Sequence, residues 1–117
     1  MLFLLAPSQP VSNLEGFSLT STSIQLIWNS IPSDNLNGEL LGYSIYVHND
    51  TTSNVKGERV LNTTDLIATV DNLGIGTMYL FFVCAYNSAG DGPCARTTQK
   101  TLQSSKSKLF KTISRPP

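Results

Sequence analysis

The sequence predicts an all-β protein, a seven-stranded antiparallel sandwich around one hydrophobic core. Three observations lead to this fold class. Apolar and polar residues alternate with a period of two in successive segments, no stretch has the helical period of about 3.6 residues, and Gly, Pro, Asn and Asp separate the segments. Because 117 residues is the length of one typical domain, we expect a single core.

The strongest strand prediction covers residues 78–86, which contain no Gly, Pro or charged residue. The period of two divides its side chains into a face expected to point into the core and a face expected to point outward. The inner face contains Tyr79, Phe81, Val83 and Ala85, and the outer face contains Leu80, Phe82, Cys84 and Tyr86. Turn-forming residues lie on both sides, with residues 90–93 as the turn that follows, so we interpret this segment as a central strand.

Two predicted strands lie near the start of the chain. The first, near residues 14–19, has only a weak pattern. The second covers residues 21–29 and places Ile24, Leu26 and Trp28 on one face. We expect the large aromatic side chain of Trp28 at the centre of the core.

Four further strands are predicted after the turn-forming residues 31–42. A third strand, near residues 43–49, alternates between two faces, and short strands follow near residues 58–62 and 66–70. The two faces of the third strand contain Tyr43, Ile45 and Val47, and Ser44, Tyr46 and His48. Residues 95–102 are rich in Thr and poor in apolar side chains, which favours an edge strand.

The charge distribution argues against a nucleic-acid partner. The chain has eight basic and eight acidic residues, and its last part contains four of the basic ones. These four are Lys106, Lys108, Lys111 and Arg115. Residues 1–103 therefore hold four basic and eight acidic side chains, a net charge of about −4, whereas phosphate backbones require clustered Lys and Arg.

The predicted domain covers residues 7–102. Residues 1–6, M-L-F-L-L-A, are too short for a secretory signal or a membrane span, and we interpret them as an N-terminal extension or a remnant. Residues 103–117 lose the strand period and are rich in Ser and Lys, as is typical of a basic linker or disordered tail. No other segment has the length of a membrane span, so we expect no direct membrane contact by this domain.

Several motifs occur together at a spacing that is typical of one known family. Pro7 and Pro10 open the segment, and S-I-Q-L-I-W and L-L-G-Y-S-I-Y form the second and third strands. The sixth strand and its loop read L-x-x-x-T-x-Y-x-F-x-V-x-A-x-N-x-A-G-x-G-P from Leu73 onward. Residues 7–102 therefore closely resemble a fibronectin type III domain.

The resemblance implies an immunoglobulin-like Greek-key sandwich, with the first, second and fifth strands in one sheet and the other four strands in the second. It also implies that the hydroxyl of Tyr79 bonds back to the backbone in the loop that begins near Leu73. We expect the structural core around Trp28, Tyr43, Leu73 and Tyr79. The family usually has Pro where this chain has Ile75, and we expect the tyrosine contact to survive, because Pro only stiffens the turn.

The residues do not predict catalysis, a metal site, a cofactor or a small-molecule substrate. His48 is the only histidine, and no nucleophile, phosphate-loop or metal-ligand motif occurs. Asp91 lies in A-G-D-G-P, which is similar to the R-G-D loop through which some family members bind integrins. Ala89 stands in place of the Arg, so we interpret this segment as a turn.

Cys84 and Cys94 lie on the sixth strand and just after the following loop, so they are candidates for a disulfide. A disulfide requires Cα atoms within about 7 Å, and the uncertain register of the loop leaves a bond and two free thiols as open alternatives. Two sequons, Asn49-Asp50-Thr51 and Asn62-Thr63-Thr64, lie in polar segments after the third and fourth strands. We expect Asn49 and Asn62 to accept N-linked glycans in a secretory compartment.

The outer face of the sixth strand is a candidate interaction face. Leu80, Phe82 and Tyr86 are expected there, with Tyr46 on the neighbouring strand, and an apolar patch of this kind marks many protein interfaces. The alternative is that long side chains from adjacent strands, Lys among them, cover this face.

The predicted function is that of a non-catalytic interaction and spacer module. We expect it in the extracellular part of a membrane-anchored or secreted multidomain protein, an adhesion molecule or receptor, with other proteins and neighbouring domains of the same chain as partners. The alternatives are an intracellular module of cytoskeletal or muscle arrays and an accessory domain of a secreted carbohydrate-active enzyme. A cytokine-receptor module would carry W-S-x-W-S, but Trp28 is the only tryptophan.

Overall fold

Two antiparallel β-sheets pack face to face in the computed structural model, which describes residues 5–103. The strands of the described residues are β1 (Ser12–Ser18), β2 (Ile24–Asn29), β3 (Gly42–His48), β4 (Glu58–Thr63), β5 (Ile67–Val70), β6 (Met78–Asn87) and β7 (Gly90–Lys100). A single 3₁₀ turn, Ser33–Asn35, lies in the connection between β2 and β3. The predictions for residues 1–4 and 104–117 lie outside the described residues.

The strand order confirms the seven-stranded antiparallel sandwich. One sheet has the order β1-β2-β5, and the other has the order β4-β3-β6-β7. This is the division of strands that the family resemblance implied. On one side of the sandwich β1 approaches β7, where the side-chain amide of Gln99 donates a hydrogen bond of 2.8 Å to the Ser18 hydroxyl. On the other side lie the edges of β4 and β5.

The core between the sheets follows the period of two that the sequence shows. Trp28 is 3% exposed, and its ring meets that of Tyr43 edge to face with the centroids 5.4 Å apart. The inner positions of β2, β3 and β6 supply most of the remaining core. They are Ile24, Leu26, Ile45, Phe81, Val83 and Ala85, all buried. Burial of each large apolar side chain contributes roughly 1.5–3 kcal/mol, so this layer dominates the stability of the fold.

The loop before β6 is held by Tyr79. The hydroxyl of Tyr79 accepts a hydrogen bond of 2.7 Å from the backbone N–H of Gly74. Leu73, the residue before Gly74, is buried against the core. The contact is the one that the family resemblance implied, and Ile75 is exposed beside it.

The hairpin between β6 and β7 differs from the sequence prediction. The turn is formed by residues 88–89, and β7 begins at Gly90, whereas the sequence indicated a turn over residues 90–93 and a strand from residue 95. A register shift between Cys84 and Tyr86 places an extra residue in β7. Gly92 is required there, because a Cβ atom at this position would overlap the carbonyl oxygen of Pro7. Pro93 is tolerated because β7 is an edge strand.

Candidate interaction surface

The outer face of β6 is largely buried, so the prediction that Leu80 and Phe82 are exposed is wrong. Leu80 is 0% exposed and Phe82 is 6% exposed. The guanidinium of Arg96 on β7 lies 5.3 Å from the centroid of the Phe82 ring. Arg96 also donates a hydrogen bond of 3.5 Å to the carbonyl oxygen of Thr51, in the loop of residues 49–57. A long side chain from the neighbouring strand thus covers this face, as in the alternative interpretation, and the loop of residues 49–57 adds a cover that the sequence did not indicate.

The loop of residues 49–57 is fixed across the sheet by Lys56. Its ammonium lies 4.6 Å from the centroid of the Tyr46 ring and 3.1 Å from the carboxylate of Asp91. A cation over an aromatic face contributes roughly 0.5–1 kcal/mol when exposed. Tyr46 and Tyr86, the other two residues of the candidate interaction face, are half-buried.

Asp91 is the polar centre of this face. Its carboxylate accepts hydrogen bonds from the Ser44 hydroxyl at 3.2 Å, from the Tyr46 hydroxyl and from the Lys56 ammonium. The Ser44 side chain is fully buried. The sequence indicated only a turn at Asp91, and its actual position on β7 depends on the register shift described above.

The electrostatics of the cluster favour an ionised Asp91. Burial raises the pKa of the Asp91 carboxyl, but the hydrogen bonds from Tyr46, Lys56 and Ser44 and the charge of Lys56 outweigh burial, so the pKa lies below its ordinary value. Burial and the neighbouring carboxylate raise the pKa of Tyr46. Burial lowers the pKa of Lys56, but Asp91 and Tyr46 outweigh this and raise it. At neutral pH the cluster is therefore an ion pair with a neutral tyrosine.

A disulfide joins Cys84 and Cys94 next to this cluster. The two residues are direct cross-strand partners on β6 and β7, and their Cα atoms are 4.2 Å apart. Of the two alternatives that the sequence left open, the structure has the bonded one. Cys84 is also the cross-strand partner of Ser44, whose hydroxyl donates a hydrogen bond to Asp91.

The exposed part of this surface combines aromatic, cationic and apolar groups. We use the name "loop-covered face" for Tyr46, Val55, Lys56, Tyr86 and Arg96. Val55 is 65% exposed and precedes Lys56 in the loop, and Arg96 is exposed above Phe82. Tyrosine and arginine are enriched at the centres of protein interfaces.

The chain enters and leaves the sandwich at opposite ends of β6. At one end the side-chain amide of Asn87 donates hydrogen bonds of 2.8 Å to the carbonyl oxygen of Leu5 and 2.9 Å to that of Leu36. At the other end the Thr101 hydroxyl donates one of 2.6 Å to the carbonyl oxygen of Gly74. Ten strand residues lie between these ends, a distance of about 33 Å.

The remaining predicted site residues have simple surroundings. His48 is half-buried, and its Nδ1 accepts a hydrogen bond of 3.0 Å from the backbone N–H of Asp50. Asn49 is exposed after β3, whereas exposed Asn62 lies within β4 and not after it.

Among residues 5–103, His, Cys, Asp and Glu do not form a group of three that could hold a metal ion. In the same part of the chain, no helix has the length and apolar character to cross a membrane.

The chain is similar to segments of several known proteins, in sequence and in fold. The chain is 33% identical over 92 residues to protein sidekick-1 of Gallus gallus, a match that covers 78% of this chain and 4% of that protein. It is 32% identical over 98 residues to contactin-3 of Rattus norvegicus, covering 83% of this chain and 10% of that one. The crystal structure of domains d3–d4 of the rat CD45 extracellular region superposes with a TM-score of 0.68 at 27% identity, over 84% of this chain and 51% of that one.

The chain thus spans only a small part of the curated relatives that it matches. The family model of the fibronectin type III domain matches residues 8–101, which include all seven strands of the sandwich. This match, the two-sheet topology and the hydrogen bond from Gly74 to Tyr79 agree with one another. The chain belongs to the fibronectin type III family.

Proposed function

We propose that this domain is a non-catalytic protein-interaction and spacer module in the extracellular part of an adhesion molecule or cell-surface receptor. Sidekick and contactin, which contain similar segments, are cell-adhesion proteins, and the CD45 domains belong to an extracellular region. Its partners are other proteins, including neighbouring domains of the same polypeptide. Nucleic acid, membrane lipid, cofactors and small-molecule substrates have no part in the proposal.

The spacer role rests on the two fixed ends of β6. The Asn87 side chain binds the backbone at the end where the chain enters the sandwich. The Thr101 side chain binds the loop before β6, at the end where the chain leaves the sandwich. Because these contacts lie about 33 Å apart along one strand, domains on either side would be separated by one rigid sandwich. A flexible linker of the same length would not set such a distance.

The interaction role rests on the loop-covered face. Its loop is held by Lys56, which contacts Asp91 and Tyr46. The hydrogen bond from Arg96 to the carbonyl oxygen of Thr51 holds the loop as well. An anchored loop loses little conformational entropy when a partner binds, which favours affinity. The half-buried rings of Tyr46 and Tyr86 and the exposed guanidinium of Arg96 are the kinds of group that contribute most binding energy.

The extracellular location is supported by the disulfide between Cys84 and Cys94. Disulfides persist in secreted proteins and are reduced in the cytosol, so this bond weighs against the intracellular alternative. No contact in the described residues favours an accessory domain of a carbohydrate-active enzyme.

A display experiment tests the interaction role. The chain is produced without glycans in an oxidising bacterial periplasm and is then tetramerised on streptavidin. The tetramers are applied to a library of cells, each of which displays the extracellular region of one cell-surface protein. We expect binding to a small set of these proteins, reduced about tenfold or more by Arg96→Glu. Lys100→Glu is the matched control, because Lys100 is exposed at the far end of β7. Absence of any binding, or equal losses in both variants, would contradict the proposal.

A further inference from the structure

The two sequons of the chain lie near the two ends of one strand, β4. Of nine asparagines, only Asn49 and Asn62 precede Thr or Ser by two positions. Asn49 lies beside the start of β4, because Val47 of β3 pairs with Glu58. Asn62 is the last but one residue of β4. Since six strand residues span about 20 Å, the two asparagines lie at opposite ends of the same strand.

Both side chains are accessible to a transferase. Asn49 and Asn62 are exposed, and so is Thr64, which completes the second sequon. Asn49 lies at one end of an open groove of about 720 Å³ that runs along β4. By contrast, the side-chain amides of Asn35, Asn37 and Asn87, which lie outside sequons, donate hydrogen bonds within the fold.

In the part of the chain that the structure describes, β4 has a free edge. Within residues 5–103, β4 pairs with β3 alone, and the groove lies between its edge and β5. Val60, in the middle of β4, is 40% exposed. Free strand edges pair readily with strands of other molecules, and proteins protect them with charges, Pro, bulges or covering groups. Of these protections, β4 has a bulge where it pairs with Tyr46 of β3. It also has one acidic and one basic residue, but it has no Pro.

We propose that Asn49 and Asn62 carry N-linked oligosaccharides and that these two glycans protect the free edge of β4 from pairing with a second copy of the chain. In the transfer, the side-chain amide nitrogen bonds to C1 of the first sugar of a lipid-diphosphate-linked oligosaccharide. The bond between C1 and the diphosphate oxygen breaks, the amide loses one proton, and the lipid diphosphate leaves. The inference rests on the extracellular location in the proposed function, because this transfer occurs in the secretory pathway.

The first test is the mass of the full chain secreted from cultured animal cells behind an added signal sequence. We expect two glycans, and one fewer in Thr51→Ala and in Thr64→Ala. Thr51→Ser and Thr64→Ser keep the sequons and should keep the glycans. An unmodified Asn49 or Asn62 in this material would overturn the assignment of that site.

The second test is the molecular mass in solution, measured by light scattering at high protein concentration. The glycosylated chain should be monomeric, whereas the Thr51→Ala/Thr64→Ala variant and wild-type chain treated with peptide-N-glycosidase should approach twice the monomer mass. Adding Val60→Lys, which places a charge on the free edge, should restore the monomer. Monomeric unglycosylated protein, or dimers that persist with Lys at position 60, would overturn the protective role.

The two proposals fail separately. The added signal sequence delivers the chain to the lumen whatever its natural location, so missing glycans would overturn this inference and leave the binding of unglycosylated chain to displayed proteins unaffected. Conversely, two glycans on a chain that binds no displayed protein would contradict the interaction role alone.

Discussion

The ammonium of Lys56, in the loop between β3 and β4, lies 3.1 Å from the carboxylate of Asp91 on β7. The Lys56 side chain is 40% exposed, so solvent screens the ion pair and its own contribution to stability is small. The same carboxylate also accepts hydrogen bonds from the hydroxyls of Ser44 and Tyr46. The main effect of the Asp91 carboxylate is therefore to accept hydrogen bonds from these two hydroxyls, of which that of Ser44 is fully buried.

Replacement of Asp91 by alanine should destabilise the domain. We expect Asp91→Ala to lower the free energy of unfolding by about 1–3 kcal/mol, because the buried hydroxyl of Ser44 loses its acceptor. Urea unfolding followed by Trp28 fluorescence measures the change. Asp65→Ala is the control, since Asp65 is exposed and its loss should cost less than about 0.5 kcal/mol. Equal effects of the two substitutions would contradict the role given to Asp91.

The pKa of Asp91 also predicts a dependence of stability on pH. The pKa of this carboxyl is lower in the folded chain than its ordinary value of 3.8. The ionised carboxylate therefore stabilises the fold at pH values above 3.8. This stabilisation is lost as the pH falls through 3.8 and below the folded pKa. Wild-type protein should therefore lose more stability than Asp91→Asn when urea midpoints are compared between about pH 5 and pH 2. Parallel curves for the two proteins would contradict the prediction.

The sequence predicted the inner half of the sandwich better than its outer face. Alternation placed Trp28, Tyr43 and Phe81 in the core, because a period of two is a local property of each strand. The burial of Phe82 was missed, since it depends on Arg96 and on a polar loop that has no period of its own. The role of Asp91 was missed because it depends on a register shift.

The disulfide predicts a loss of stability on reduction. The closed loop spans a sequence separation of 10, for which chain-entropy arguments give about 2–3 kcal/mol. Cys84→Ala/Cys94→Ala should therefore unfold at a lower urea concentration than the oxidised protein. A reducing agent should lower the midpoint of wild-type protein and leave that of the double variant unchanged. A wild-type midpoint insensitive to reduction would show that the bond contributes no stability.

Loss of the Tyr79 hydroxyl should weaken the loop before β6. We expect Tyr79→Phe to lower the free energy of unfolding by about 1 kcal/mol, because the N–H of Gly74 loses its acceptor. Hydrogen exchange at Gly74, measured by NMR, should become faster. Tyr86→Phe makes the same chemical change on the outer face and should leave exchange at Gly74 unaltered. If both variants exchange equally fast there, Tyr79 does not hold the loop.

Truncation of Phe82 distinguishes most clearly between an exposed interaction patch and a covered layer of side chains. An exposed ring would cost little when truncated, but Phe82 is 6% exposed beneath the guanidinium of Arg96. We therefore expect Phe82→Ala to lower the free energy of unfolding by about 3–4 kcal/mol. Phe17 is 45% exposed, so Phe17→Ala removes the same atoms as a control and should cost less than about 1 kcal/mol. Similar urea midpoints for the two variants would mean that Phe82 is open to solvent and is therefore available to a partner.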